Sequence, residues 1–425
     1  MNPRMVFHNR VIFGVFVFSL LALGPPPITG TGFNSSRQVL ASNVDSVAHN
    51  LVPGTTGANI PAATSGWQII TIPGESGQGT NSSIAMDQAG NPHISFMDAT
   101  NRTVKYIYLE GSSWEAGTID TLEYLLDEST SLALNGVDQP QIAYNYNNPV
   151  RVGHAEWDGI QWKKTKIGVS GGISYTDMAL KATGEPCISY SVDRPGVPPT
   201  YVPIRNIEVL CRTAGIWPAS VSFYVKSVNY SSSRFPMYRF HSLALDNQDR
   251  PHISFTRYDG YYNDLRYGSH TTDVYGALVD GEPDVGFYSS LALDGEDHPH
   301  ISYYDLPNGD LKYAVWNGSA WVVETVDSAG DVGRYTALAL DSSDKPRISY
   351  YDMTNNDLKY AFWDGSQWHI ETVDSSGSVG KYSSLALDSA GNAHISYYDE
   401  TNLKLKYATN SGAIEHLNYL PLMFR

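Results

Sequence analysis

The sequence predicts an all-β protein, a seven-bladed β-propeller with four antiparallel strands in each blade. Three observations predict this fold: a repeat that occurs seven times, four short extended segments in each repeat, and a lone strand at the start of the domain. The length of 425 residues would allow two or three average domains, but large all-β folds often form a single one.

The repeat is clearest in the C-terminal half, where three segments are nearly identical: SSLALDGEDHPHISYYD, TALALDSSDKPRISYYD and SSLALDSAGNAHISYYD. One apolar residue of the first strand marks the start of each of the seven copies: Ile84, Leu132, Met178, Leu243, Leu291, Leu338 and Leu385. The interval from Met178 to Leu243 is 65 residues, whereas the other intervals are 46 to 48. The third repeat therefore carries an insertion.

Each repeat divides into four short runs, which we name strands A to D. In the fifth repeat they are residues 291–293, 300–304, 311–316 and 321–326. The runs are rich in Val, Ile, Tyr and Trp and are separated by Gly, Asn and Asp, a pattern typical of hairpin-linked strands. Asn317-Gly318 between strands C and D suits a tight hairpin.

The lone first strand predicts how the ring closes. Trp67–Ile72 resembles a strand D, and Trp67 precedes Ile84 by 17 residues, the same spacing as from Trp321 to Leu338. The seventh repeat has strands A, B and C but no recognisable strand D. We therefore predict that Trp67–Ile72 pairs with strand C of blade seven near Lys404–Ala408. Such closure removes the exposed sheet edges of an open array.

The chain outside the repeats predicts export. Arg4 and Arg10 precede the apolar run 11–24, as in a secretory signal peptide. An uncleaved N-terminal anchor is the alternative. We assign residues 1–29 to this segment, 30–66 to a flexible linker, 67–412 to the propeller and 413–425 to a C-terminal tail. We expect a secreted or cell-surface protein with no membrane span in the mature domain.

The charge of the chain argues against nucleic acid as a partner. The formal net charge is −16, and no basic patch interleaved with aromatic residues offsets the repulsion of a phosphate backbone. The sequence contains no phosphate-binding loop and no zinc-ligand spacing. We expect a monomer without a cofactor or a metal. The alternative is Ca²⁺ held by the paired carboxylates of the B–C loops.

The pattern LALD-x4-PHISYYD-x2-N-x-DLKYA resembles propeller repeats of the NHL type over residues 67–410. It also resembles bacterial sialidase-like (BNR-like) repeats, although their Ser-x-Asp-x-Gly-x-Thr-Trp box is absent. The ending YLPLMFR is similar to short YLPL-type endings of some secreted bacterial proteins. These resemblances imply a secreted bacterial propeller and attach no activity to it.

Several repeated residues are best explained by packing. The tryptophans recur around the C–D hairpin, which favours contacts between blades over stacking on sugars. The histidines at the start of strand B (His93, His252, His300 and His394) share one register, and the same register holds Gln141, Cys187 and Arg347 in the other blades, which argues against a metal site. The aspartate after strand A is expected to cap its own turn.

The D–A and B–C loops of a propeller emerge on the same rim, around the mouth of the central channel. The D–A loops bring aromatic residues to one register, preceded by a cation in some blades, and the B–C loops add carboxylates. These are the candidate ligand-binding residues: Tyr175, Phe240, Tyr288, Arg334, Tyr335, Lys381, Tyr382, Asp305, Asp352 and Asp399. Such a concave mouth suits a polar ligand such as a glycan. The alternative is that the tyrosines pack blade against blade.

The chain has two cysteines, and hairpin arithmetic places them opposite each other. If the B–C hairpin of blade five is centred between Pro307 and Asn308, His300 faces Val315. Cys187 and Cys211 occupy these two positions in blade three. We therefore predict a disulfide at the base of the insertion, since facing Cβ atoms on neighbouring strands approach disulfide range and export provides oxidising conditions. Two buried free thiols are the alternative.

Three functions remain open from the sequence. The first is a secreted or cell-surface binding module for a glycan or an extracellular protein. The second is a polysaccharide-cleaving enzyme, a sialidase-like glycosidase or a lyase, on the same scaffold. The third is a surface structural protein with no small ligand. The near-identity of blades five to seven favours the first and third, because an enzyme usually breaks repeat symmetry at one site.

Overall fold

The computed structural model describes residues 66–74, 77–123, 129–147, 150–168, 172–194, 204–219, 223–229, 241–258, 261–270, 272 and 275–412. The predicted signal peptide, nearly all of the linker, the tail and Phe240 lie outside these residues. The described residues form 28 β-strands. They contain no helix of the length and apolarity that a bilayer crossing requires.

The first three blades follow a single leading strand, β1 (Gln68–Thr71). Blade one contains β2 (Gln78–Met86), β3 (Pro92–Asp98), β4 (Thr103–Glu110) and β5 (Ser113–Thr121). Blade two contains β6 (Thr130–Leu134), β7 (Pro140–Asn147), β8 (Val150–Trp157) and β9 (Trp162–Gly168). Blade three contains β10 (Gly172–Leu180), β11 (Pro186–Arg194), β12 (Ile204–Cys211) and β13 (Phe223–Asn229).

Blade four contains β14 (His241–Leu245), β15 (Pro251–Tyr258), β16 (Asn263–Gly268) and β17 (Ala277–Asp280). Blade five contains β18 (Val285–Leu293), β19 (Pro299–Asp305), β20 (Asp310–Trp316) and β21 (Trp321–Asp327). Blade six contains β22 (Val332–Leu340), β23 (Pro346–Asp352), β24 (Asp357–Trp363) and β25 (Trp368–Asp374). Blade seven contains β26 (Val379–Leu387), β27 (Ala393–Asp399), β28 (Lys404–Thr409) and β1.

The strands of each blade pair antiparallel with their neighbours, as predicted. Blades three and four are also joined by one parallel bridge between β13 and β15. The ring closes as the sequence predicts, because β1 pairs with β28 from Gln68 opposite Thr409 to Thr71 opposite Lys406. The seven-bladed propeller and its closure are therefore confirmed.

The tryptophan that opens strand D packs edge-on against a strand C tyrosine of the preceding blade. Trp321 contacts Tyr267, and Trp368 contacts Tyr313, with ring centroids 5.5 and 5.4 Å apart. Trp67 contacts Tyr360 at 5.2 Å, and its Nε1 donates to Glu371 across the closing junction. The tryptophans thus hold adjacent blades together, which confirms their predicted packing role.

A second contact between blades joins three side chains that the sequence analysis did not connect. The Tyr350 hydroxyl and Lys359 Nζ, both of blade six, donate to Asp327 Oδ2 of blade five at 2.7 and 2.6 Å. The same contact recurs around Asp280 and Asp374 at the neighbouring junctions. Burial alone would raise the pKa of Asp327, but the hydrogen bonds from Lys359 and Tyr350 hold it below the ordinary value. The carboxylate is therefore ionised and bridges two blades.

The disulfide of blade three is present. Cys187 faces Cys211 across β11 and β12, and their sulfur atoms are bonded. The reference pair in blade five, His300 and Val315, also has the predicted register. Cys187 is fully buried within the core between blades three and four, and the cross-link joins β11 and β12 at the end of the hairpin opposite the pair Arg194 and Ile204.

Candidate ligand-binding site at the channel mouth

The innermost strands of all seven blades surround a cavity of about 180 Å³. Each blade contributes the beginning of its strand A, near the D–A loop, so the cavity opens at the predicted rim. The size is below the roughly 300–1,000 Å³ of a typical small-molecule pocket. The channel mouth therefore suits a single small group rather than a long ligand along its axis.

Three tyrosines form one continuous aromatic surface on this wall. We call Tyr288, Tyr335 and Tyr382 the tyrosine ladder. Their ring centroids lie 4.7 Å apart from blade five to six and again from six to seven. Burial and the neighbouring phenols of the ladder raise the pKa of Tyr335 well above its ordinary value. Its phenol is therefore protonated at neutral pH and can donate a hydrogen bond.

The backbone of the ladder is held in an unusual conformation. The φ angles of Tyr288, Tyr335 and Tyr382 are 55°, 53° and 55°, a left-handed region that bulky residues rarely adopt. Strand A is bulged at this point, because its pairing register with strand B shifts across the ladder tyrosine in all three blades. Blade one has Asn81 at the same register, with a φ of 50°. The bulge therefore belongs to the repeat, whereas contacting tyrosine rings at this register belong to blades five to seven; Tyr175 is the tyrosine at the same register in blade three.

A glycine two residues before each tyrosine of the ladder lets strand A approach the preceding blade. Gly333 has a φ of 105°, and a Cβ there would lie 2.7 Å from the Cα of Leu311. Gly380 is placed in the same way against Leu358. Only glycine accommodates this approach, because a side chain would overlap the backbone of the neighbouring strand.

A second row of tyrosines and two cations lie behind the ladder. The ladder rings contact a strand B tyrosine of the same blade edge-on, with centroids 6.3 to 6.4 Å apart: Tyr304, Tyr351 and Tyr398. Arg334 lies over the Tyr304 ring and pairs with Asp331 at 2.9 Å. Lys381 pairs with Glu400 at 2.6 Å. Both predicted cations are therefore at the rim, each held by an acidic neighbour.

The opposite wall of the cavity is polar. Blades one and two contribute hydroxyl and amide groups around the positions that the ladder occupies in blades five to seven: Asn81, Ser82, Ser83, Ser129, Thr130 and Ser131. Several hydroxyls also join neighbouring blades. Ser83 Oγ accepts from the backbone N–H of Leu132, and Ser131 Oγ accepts from that of Met178. The sequence showed these serines in the repeat, but not which backbone group each one faces.

Asp177 is the one carboxylate among the described residues that line the cavity. Its oxygens accept hydrogen bonds from Ser131 Oγ and from the backbone N–H of Leu243, both at 2.8 Å. Burial raises the pKa of Asp177 above its ordinary value in spite of these hydrogen bonds. The sequence analysis missed Asp177, although its signal was present: the other blades have Ser or Ala at this register.

The remaining predicted residues have different positions. Tyr175 lines the cavity and contacts the His241 ring edge-on at 5.1 Å. Phe240 lies outside the described residues. The three B–C loop carboxylates are buried and accept hydrogen bonds within their own turns, from the asparagine three residues later: Asp305, Asp352 and Asp399. Their placement favours turn capping over ligand contact.

The structure thus brings together part of the predicted site. Tyr175 and the tyrosine ladder share one cavity, with Arg334 and Lys381 outside it. The ladder tyrosines also pack blade against blade, the alternative that the sequence left open, as their ring contacts show. Because the same rings line the cavity, packing does not exclude a role in binding, which stays a prediction.

Comparison with solved structures gives matches to other propellers. An ulvan lyase of polysaccharide lyase family PL25, solved bound to a GlcA-Rha3S unit, aligns with a TM-score of 0.53 and 11% identity over 78% of this chain and 93% of its own. The polysaccharide lyase Uly1 aligns with a TM-score of 0.50 and 8% identity over 77% and 88%. At these identities the likeness shows the fold alone. No protein-family model matches the sequence, and no curated protein matches it significantly.

Proposed function

We propose that the protein is a glycan-binding propeller that holds one sugar unit at the mouth of its central channel. The observation that carries this proposal is the tyrosine ladder, an aromatic wall held at positive φ beside a cavity lined with hydroxyls. Residues in such sparsely populated conformations cost about 1–3 kcal/mol each and cluster at functional sites. The repeated use of tyrosine where asparagine or glycine would relieve strain supports a role for its side chain.

The two walls of the cavity match the two kinds of surface on a sugar ring. The ladder offers an aromatic face, most blades add Ser or Thr hydroxyls, and blade three alone adds a carboxylate, Asp177. A pyranose has C–H groups on its faces and hydroxyls around its edge. One side of the cavity can therefore contact the face of a ring while the other hydrogen-bonds its edge.

The acid–base properties of the site favour binding over cleavage. Glycoside hydrolysis usually requires two carboxylates, and Asp177 is the one carboxylate in the described lining. A lyase needs a general base that is deprotonated near the working pH. Burial raises the pKa of both Tyr175 and Tyr335 far above neutrality. Because polysaccharide lyases have a similar fold, cleavage of a polysaccharide is the alternative that an experiment must test.

A glycan array followed by calorimetry on the glycans that bind tests the proposal. We expect one binding site per chain. Tyr335→Asn should weaken binding by about tenfold or more, equivalent to about 1.4 kcal/mol, because it removes the central ring of the ladder. Asparagine suits the backbone there, since Asn81 has the same conformation in blade one. The fold should therefore survive.

The matched control is Tyr261→Asn, because Tyr261 is 89% exposed and does not line the cavity. It should bind as the parent does. Tyr335→Phe keeps the ring and separates its contribution from that of the hydroxyl. Absence of binding across a broad array, or equal affinity of the Tyr335→Asn and parent proteins, would overturn the proposal. New unsaturated or reducing ends after incubation with a bound polysaccharide would show cleavage instead.

A further inference from the structure

The face opposite the channel mouth carries a repeated pair of side chains. The aspartate after strand A lies beside the histidine that begins strand B. In blade four, Asp246 Oδ2 is 3.2 Å from His252 Nε2, and in blade seven Asp388 Oδ2 is 3.4 Å from His394 Nε2. The other ring nitrogen, Nδ1, faces a tyrosine hydroxyl of strand C, which is Tyr267 in blade four. The pair therefore presents Nε2 and a carboxylate side by side.

Blade four adds a second histidine to this pair. His270 lies at the end of strand C, at a register where the other blades have Leu109, Trp157, Arg212, Trp316, Trp363 and Asn410. One ligand atom each from Asp246, His252 and His270 lies within 4.8 Å of the other two. Within the described part of the chain, this is the one such convergence of three ligand residues.

We propose that Asp246, His252 and His270 bind a divalent transition metal ion, with Zn²⁺ as the best match. Two imidazoles and one carboxylate form a donor set that Zn²⁺ accepts in tetrahedral sites, with the fourth position open to water. Asp246 and His252 are 5% and 6% exposed, whereas His270 is exposed. The exposed third ligand gives the ion a route to the two buried ones.

Tyr267 can support the metal-bound form of His252. A metal at Nε2 requires the proton on Nδ1, which then donates to the Tyr267 oxygen, the kind of second interaction that orients metal-binding histidines.

One charged side chain near the pair would compete with a metal ion for the Asp246 carboxylate. Arg250 Nε donates to Asp246 Oδ2 at 2.5 Å, and a metal ion would have to displace it. The Arg250 side chain is 42% exposed and can turn into solvent, whereas the Asp246 side chain is fully buried and stays in place. Asp297 of blade five contributes further negative charge near His252.

Zinc titration by calorimetry, on protein first treated with a chelator and dialysed, tests the site. We expect one site per chain and a melting temperature that rises with added ZnCl₂. His270→Asn should weaken Zn²⁺ binding by about tenfold or more, because it removes a ligand. Asparagine occupies the same register in blade seven, so the variant should fold.

The matched control is His298→Asn in blade five. There, His298 and His300 both lie near Asp294, at 3.2 and 3.6 Å, but outside the convergent set. This variant should bind Zn²⁺ as the parent does. No binding by the parent, unchanged affinity in His270→Asn, or an equal loss in His298→Asn would overturn the proposal. Because the site lies opposite the channel mouth, glycan binding should be unchanged in His270→Asn.

Discussion

Trp67 connects the beginning of the propeller to its end, and its replacement tests ring closure directly. The side chain is fully buried, packs edge-on against Tyr360 and donates to Glu371 Oε2 at 2.8 Å. Both partners belong to blade six, whereas β1 completes blade seven. Trp67→Ala therefore removes a contact between blades at the one junction where strand D is not continuous in sequence with strand C.

The expected loss follows from this environment. Truncation of a buried tryptophan to alanine typically costs about 3–5 kcal/mol, through lost burial and the cavity that remains. Unfolding entropies of about 2.1 cal/mol/K per residue imply a decrease in melting temperature of about 4–7 °C for a domain of roughly 350 residues. The β1 strand should also open locally, because it lies at the edge of its sheet and pairs only with β28 among the described strands.

Calorimetry and hydrogen exchange measure the two effects. Trp368→Ala is the comparison, since Trp368 makes the equivalent contacts with Tyr313 and Glu324 but follows strand C directly in the chain. Both variants should lose thermal stability, whereas fast exchange at residues 68–71 and 404–409 should be specific to Trp67→Ala. Deletion of residues 67–72 should also produce oligomers in light scattering, because it exposes the edge of β28. A monomeric deletion variant that melts with the parent would refute closure by β1.

Two further predictions concern stability. Replacement of Cys187 and Cys211 by serine should lower the free energy of unfolding by about 3 kcal/mol, because the disulfide closes a loop with a sequence separation of 24. Urea denaturation measures this loss, and an unchanged urea midpoint would contradict a stabilising role of the disulfide. Asp327→Asn should lower the free energy of unfolding by about 1.5–3 kcal/mol at pH 7, because it removes the charge that Lys359 and Tyr350 bond, while Asp352 Oδ2 stays 3.8 Å from Lys359 Nζ. Since the folded pKa of Asp327 is below its ordinary 3.8, the stabilisation is present above that pH and is lost as the pH falls through the folded value. The parent and variant should therefore converge in stability as the pH falls below 3.8, and a difference that stays constant through acid unfolding would refute the ion pair.

The sequence predicted the features that depend on spacing within a repeat. The position of Trp67 relative to Ile84 was enough to predict the pairing of β1 with β28. The arithmetic of one hairpin was enough to place Cys187 opposite Cys211. Both follow because strand pairing in a hairpin is set by local sequence, and the repeat transfers the register from one blade to another.

The sequence did not predict features that depend on contacts between blades. Lys359 and Asp327 are 32 residues apart and belong to different blades, so no local pattern connects them. The sequence also does not show which carboxylates face the cavity. Asp305 ends a strand and caps its own turn, whereas Asp177 lies within a strand and lines the cavity. The bulge that turns the tyrosine ladder toward the channel is also a property of the folded strand pair.

The contacts within the tyrosine ladder indicate how many ligands the site can hold. The repeat alone would suggest equivalent sites in blades five, six and seven. However, ring centroids 4.7 Å apart leave no space for a sugar between neighbouring tyrosines. The three rings therefore present one shared surface. Hydroxyls line the cavity in most blades, but the one carboxylate in the described lining, Asp177, comes from blade three. An aromatic arc in blades five to seven combined with a single carboxylate from blade three defines one site with one orientation for its ligand, which is why we expect one glycan unit per chain and not one per blade.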